Sequence, residues 1–269
     1  MRIKMLLRSI LGFLGISDSV TYRWRSLTPA GRKINQRLAE EHRRLKGMYS
    51  QFLKPGDLCF DIGANIGTYT NALLKLGVRV VAVEPQQACV DMLRAQFGFH
   101  KRVQIVPMGL AEKDGQVEFL VSSNDQISSM SQEWTAALRN RGGKFAQAEW
   151  SKKVVVPVTT LDALISQYGT PAFCKIDVEG FEYEVLKGLS RPIQALSFEF
   201  TPEYMQPTLN CVDYLARLGN YQFNYSLEGT MQFALPAWVT APTMTDNLKD
   251  LASTHRSGDV YARLAEIPD

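Results

Sequence analysis

The sequence predicts an α/β protein: a mostly parallel sheet with helices on both faces, preceded by a helical extension. Three observations carry this. From about residue 57, short apolar runs alternate with amphipathic stretches, with only brief turns between them. The first apolar run feeds directly into the turn "DIGANIG", Asp61 to Gly67, and then into helix-forming sequence. The 269 residues, 45% hydrophobic and 21% charged, suffice for one large core.

The elements follow in order. "MRIKMLLRSILGFLGI" places Ile3, Leu6, Leu7, Ile10, Leu11, Phe13 and Leu14 on one helical arc, with Arg2, Lys4 and Arg8 opposite. This basic amphipathic helix is expected to dock on the domain or on a second copy of the chain, or to lie on an anionic membrane surface. Arg8 breaks the apolar run and no small-residue cleavage site follows, which disfavours a signal peptide. Thr28-Pro29 opens a second, charge-dominated helix, with proline at its first position. Residues 1–50 are thus read as an extension and residues 51–269 as the domain. "KPGD" is a turn. "DLCFDIG", "RVVAVEP" and "VQIVPMGL" read as strands, separated by helices "GTYTNALLKLG" and "QQACVDMLRAQFGF". "QVEFLVSS" is a further strand. Residues 124–152 form a polar insertion with one short helix near Glu133 to Arg141, a cover or a loop. "KKVVVPV", "AFCKIDVEG" and "ALSFEF" continue the strands. "YQFNYSLEGTMQFAL" reads as a closing antiparallel hairpin around Glu228-Gly229.

Composition narrows the function. A net charge of +3 without a concentrated basic stripe is too small to argue for nucleic acid, and no nucleic-acid partner is expected. Cys59, Cys89, Cys174 and Cys211 form no C-x-x-C pair, and His42, His100 and His255 are scattered, so no metal cluster is expected. Free thiols in apolar stretches point to a reducing, cytoplasmic location. No run of 18 apolar residues is present to span a membrane.

The glycine turn is not that of a dinucleotide dehydrogenase. G-x-G-x-x-G needs a third glycine for close helix–strand packing. Here the pattern is Asp61-x-Gly63-x-Asn65-x-Gly67, with asparagine at a position that calls for a left-handed backbone. Asp61 ends the strand, where a carboxylate repels a pyrophosphate and attracts an ammonium. The next strand ends in Glu84-Pro85, and Glu84 is placed to accept hydrogen bonds from both hydroxyls of a ribose. Ribose, an adenine-like base and a cationic amino group without phosphate are the parts of S-adenosylmethionine. The alternative is a tight turn with no ligand.

"FDIGANIGTYT", "VVAVEP", "TLDAL", "KIDVEGFEYEVLKGL" and "SFEF", in that order, resemble the FkbM family of S-adenosylmethionine-dependent methyltransferases. The resemblance spans about Gly56 to Phe200, with a tail reaching "GDVYARL". It implies a class I methyltransferase (Rossmann-like) sheet of seven strands with the last antiparallel. It also implies O-methylation of a saccharide or secondary metabolite. Asp61, Gly63, Asn65 and Gly67 match the family's cofactor turn, Glu84 its ribose acid with Pro85 behind it, and Gly109-Leu110 lie at the adenine edge. Ser128 and Ser129 resemble a serine pair of the family whose role the sequence does not give.

Chemistry is expected where the strand "CKID" ends, beside the first strand, at the topological switch point. Asp61 and Asp177 should open into one cleft. Asp177, Glu179 and Glu199, at adjacent strand ends, are the candidate catalytic residues: a base, a clamp for sugar hydroxyls, or a divalent-metal site. Capping of the next helix is the bland reading of Glu179 and Glu182. Lys175 is expected to pair with an acid. Two other classes remain: an NAD-binding oxidoreductase, and a cofactor-binding module without turnover.

Overall fold

The computed structural model describes residues 28–121, 129–141, 152–254 and 256–265. The amphipathic segment of residues 1–16, Ser128 and the flanks of the insertion lie outside the described residues.

Helix α1 (Pro29–Tyr49) begins at the proline that the sequence marks. Its last two turns bury Leu45, Met48 and Tyr49 against the sheet, although the rest of the helix is rich in charge. The strand–helix alternation then runs β1 (Leu58–Ile62), α2 (Thr68–Lys75), β2 (Arg79–Val83), α3 (Gln87–Phe97), β3 (Val103–Val106), β4 (Gly109–Leu110) and β5 (Gly115–Val121). It continues with α4 (Gln132–Arg141), β6 (Lys152–Thr159), α5 (Leu161–Tyr168), β7 (Phe173–Ile176), α6 (Glu182–Lys187) and β8 (Ala195–Phe200). The chain ends with α7 (Met205–Leu218), β9 (Tyr221–Leu227), α8 (Ala241–Leu251) and β10 (Gly258–Leu264).

Seven strands form one sheet in the order β3-β2-β1-β7-β8-β10-β9. Only β10 runs antiparallel, between β8 and β9. This is the class I methyltransferase sheet. Order reverses between β1 and β7, so loops leaving these two strands part there and open a crevice. Strand residues alternate between two helical layers. Phe60, Ile62, Cys174, Ile176, Phe198 and Val260 face α5 to α8. Cys59, Phe173 and Tyr261 face α1 to α3. Burying such aromatic and branched side chains is worth about 1.5–3 kcal/mol each, which is what holds helices to both faces.

Two expectations are corrected. The expected hairpin around Glu228-Gly229 forms only as isolated antiparallel contacts, the Ala234 N–H donating to the Tyr225 carbonyl at 2.8 Å and Phe223 bridging Val239. Gly229 does turn, at φ 76, but β9 pairs with β10, which arrives only after α8. A turn signal fixes where a strand ends, not which strand it meets. The run "VQIVPMGL" is also not one strand. Its second part, β4, joins β6 and β5 in a separate three-stranded sheet. Gly109 pairs with Val158 and Leu110 with Thr159. Leu110 is fully buried in the main core.

Candidate active site

The turn after β1 is pulled between two strand ends. The N–H groups of Gly63 and Ala64 donate to the Val83 carbonyl at 2.9 and 3.0 Å, and the Asp177 N–H donates to the Ile62 carbonyl at 2.9 Å. Gly63 sits at φ 79, and a Cβ there would lie 1.7 Å from the Asp177 carbonyl oxygen. Glycine is therefore required twice over, by conformation and by space. Asn65 takes the left-handed conformation its residue type favours, at φ 49. Gly67, at φ 89, caps α2, and a Cβ there would meet Phe97 at 2.5 Å.

Glu84, at the end of β2, is 6% exposed. Its two carboxylate oxygens accept the N–H groups of Asn65 (2.9 Å) and Gln86 (2.8 Å). Burial pushes this carboxyl up to about 7 against the pull of those amides. A carboxylate oxygen accepts more than one hydrogen bond, so ribose hydroxyls would share it with the backbone. Pro85 behind it is half-buried. Asp61 is fully buried. Thr70, in the first turn of α2, donates to its Oδ2 at 2.6 Å, and its Oδ1 has no partner among the described residues. Burial raises the Asp61 carboxyl, opposed by Lys175 and Thr70.

On the face covered by α1 to α3, the sheet carries a polar row: Asp61 beside Lys175, then Ser197, Tyr261 and Asn224. All five are buried. One pleat nearer the crevice, the same face carries Asp177, Glu199 and Asp259, with Asp259 directly opposite both Glu199 and Ser226. Lys175 joins the two rows. Its Nζ donates to Asp177 Oδ2 at 2.7 Å and lies 4.1 Å from the centre of the Tyr69 ring. Burial alone would lower the ammonium, but Asp177, then Tyr69 and Asp61, hold it above its ordinary value.

Asp177, Glu179 and Glu199 each bring a carboxylate oxygen to within 4.8 Å of the others. The trio sits across the β1 turn and can clamp hydroxyls, share a proton or hold a hard cation. Burial, then Asp177 and Glu182, raises the Glu179 carboxyl well above its ordinary value. Burial, then Glu179 and Asp177, does the same to Glu199. Glu179 itself sits at φ 56. The capping reading divides between the two glutamates. Glu182 accepts the N–H groups of Val178 and Gly180, both at 3.1 Å, and so locks the loop, whereas Glu179 is left to face its fellow acids.

The structure thus gathers Asp177, Glu179 and Glu199, and separately Gly63, Asn65, Gly67 and Glu84. Asp61 lies beneath the crevice rather than open to it. Gly109 and Leu110 belong to the second sheet. Sequence reasoning missed Asp259, whose carboxyl burial raises to about 7; the alternation in "GDVYARL" puts it on the face of Tyr261 and could have found it.

The sheet order and crevice are those of the class I methyltransferase fold. Residues 61–225 match the family model described as the methyltransferase FkbM domain, and the chain belongs to that family. It is 25% identical over 146 residues to the hexuronic acid methyltransferase AglP of Haloferax volcanii, covering 53% of this chain and 54% of the relative. The chain therefore spans about half the length of the curated relative it matches. Among solved structures, the O-methyltransferase from Bacillus cereus in complex with SAH is 13% identical, with a TM-score of 0.44 over 84% of this chain and 81% of that one. The precorrin-6y C5,15-methyltransferase from Geobacter metallireducens is 9% identical, with a TM-score of 0.44 over 85% and 87%. Among the described residues, no helix is long and apolar enough to cross a membrane.

Proposed function

We propose that residues 51–269 transfer the methyl group of S-adenosylmethionine to a hydroxyl of a saccharide or a similar polyhydroxylated metabolite. The observation that carries this reading is the meeting of Asp177, Glu179 and Glu199 across the crevice from the glycine turn. Family membership supports the cofactor, and so do the residues. Glu84, beside the left-handed turn of Gly63, Asn65 and Gly67, offers a carboxylate to hydroxyl donors, and the unpartnered Oδ1 of the buried Asp61 lies at the start of that turn. Bound there, the cofactor supplies an electrophilic methyl on a sulfonium.

The remaining work is alignment and proton removal. Asp177 is tied to Lys175 through one oxygen, which fits it to grip a hydroxyl in a fixed place. Glu179 has no hydrogen-bond donor on its carboxylate among the described residues, and burial, then Asp177 and Glu182, raises its proton affinity. A base needs a carboxylate oxygen that no protein donor already occupies, within reach of the acceptor hydroxyl. Glu179 is therefore the base in this reading, with Glu199 sharing the clamp. Sugar hydroxyls in rows suit such paired acceptors.

Calorimetry with SAH and with NAD is the first test, followed by transfer of labelled methyl to a panel of free hexoses and hexuronic acids. Binding of SAH but not NAD, and label on a sugar hydroxyl, is the expected result. Binding of NAD alone sinks the cofactor assignment. Binding of SAH without label on any acceptor would favour the module without turnover.

A further inference from the structure

Ser129 lies on the insertion between β5 and β6, far in sequence from the acids. It is fully buried. Its backbone pairs with Leu120 in both directions, at 2.7 and 3.0 Å, which ties it to the edge of β5. Its hydroxyl accepts the Ser131 N–H at 2.8 Å and donates to the Glu179 carbonyl at 2.5 Å. With one lone pair used, the proton is aimed at a single acceptor. The Glu179 peptide is thereby held from the insertion side, while Glu182 holds the N–H groups on either side of it. Five positions on, Trp134 lies against the same loop. A Cβ on Gly180, itself at φ 89, would meet the Trp134 side chain at 2.3 Å. The Trp134 indole N–H donates to Thr201 Oγ1 at 3.1 Å, just past Glu199. Ser131 caps the helix that carries this indole, accepting the Trp134 N–H at 3.1 Å.

We propose that Ser129 is a positioning residue: it fixes Glu179 in its left-handed conformation, so that the carboxylate faces Asp177 and Glu199. A non-glycine residue keeps such a conformation only where its surroundings impose it. Ser129 supplies that constraint from a segment that Trp134 also anchors to the end of β8. The insertion thus sets the spacing between the two glutamates. This rests on the reading of Glu179 as the base.

The test uses the full chain with 13C-labelled glutamate. The Glu179 carboxyl signal is assigned by its loss in Glu179→Gln, and its titration is followed by NMR. In Ser129→Ala the midpoint is expected to fall towards that of an ordinary glutamate, because the loop relaxes away from its fellow acids. In Ser129→Thr, which keeps the hydroxyl, it is expected to stay raised. On a sugar accepted by the wild type, Ser129→Ala should cut kcat by about 10–100-fold, with SAH affinity unchanged. The Ser129→Ala, Glu179→Gln double variant should be no slower than Glu179→Gln alone. An unmoved midpoint in Ser129→Ala, or losses that simply add in the double variant, overturns the inference alone. Normal turnover by Glu179→Gln removes the base reading and the inference with it. If Ser129→Ala does not fold, Ser129→Cys, similar in size but a weaker donor, takes its place: a lowered midpoint supports the inference and an unmoved one overturns it.

Discussion

The two sides of the crevice treat their carboxylates in opposite ways. On the β1–β2 side each acid has protein donors: Thr70 for Asp61, and two backbone N–H groups for Glu84. On the β7–β8–β10 side, Glu179, Glu199 and Asp259 have no donor to their carboxylates among the described residues, and one lysine serves the whole group through Asp177. A satisfied acid is a fixed acceptor, ready to receive a ligand's donors without rearrangement. An acid whose oxygens no protein group claims can turn them to a ligand's proton. The difference divides binding from chemistry, and it can be broken from either side.

The largest effect belongs to the crowded side. Glu179→Gln keeps the shape and removes the charge, and should cut turnover by roughly 10²–10⁴-fold with SAH affinity nearly intact. Asp177→Asn should cost less, mostly in acceptor KM, because its role is to grip. Steady-state kinetics on an accepted sugar checks both. If Asp177→Asn shows the larger loss in kcat with KM unchanged, the two roles are reversed.

A smaller effect is expected on the satisfied side, in affinity rather than rate. Glu84→Gln presents an NH₂ group to one of the two backbone N–H groups that the carboxylate accepts, so it removes the charge and one of the two contacts that hold the turn. Hydrogen bonds to a charged group are worth about 1.5–3 kcal/mol, so SAH should bind at least about tenfold more weakly. The proton also competes with ribose hydroxyls for this carboxylate, whose pKa stands at about 7. SAH affinity should therefore fall as pH drops below about 7, and Glu84→Gln should flatten that slope in calorimetry. A slope that survives in Glu84→Gln assigns the proton elsewhere.

The satisfied side was the more legible in sequence. Its signals are local: a glycine or asparagine declares a positive φ, and an acid after an apolar run declares a strand end. Gly63, Asn65, Gly67 and Glu84 all stand where those rules put them. The gathering of Asp177, Glu179 and Glu199 was also readable, because their strands are neighbours in the predicted sheet. What escaped depends on distant pairing. Asp259 joins the acids only because β10 inserts between β8 and β9, and the local turn at Gly229 argued for a different partner. The second sheet escaped for a related reason: "VVVPV" alternates equally well in either sheet. The burial of Asp61 escaped because its neighbours in the row, Lys175, Ser197 and Tyr261, come from three separate strands.

The smallest effect is on the stability of the free protein, and it tests the burial of the carboxylates on both sides directly. Glu84, Glu182 and Asp259 are all pushed up to about 7 in the folded state, burial being the first cause in each case, against about 4 in the unfolded chain. Between about pH 4 and 7 the folded protein then binds protons that the unfolded chain has released. Unfolding free energy changes with pH as the protons bound unfolded minus those bound folded, so the slope is negative in that window. Stability from these groups is greatest at the acid end, falls as pH rises towards 7, and levels off above it. For a chain of this size each kcal/mol moves Tm by about 2–4 °C. Melting without ligand should therefore occur several degrees higher near pH 5 than near pH 8. Saturating SAH should oppose the trend, since its hydroxyls favour the ionised Glu84 and its added stability grows with affinity. Removing one crowded charge, as in Asp259→Asn, should shrink the difference between the two pH values. A free protein that instead melts higher as pH rises through this window would mean that its buried carboxylates are stabilised as anions, by a bound cation or by a more open crevice, and the contrast between the two sides would fail.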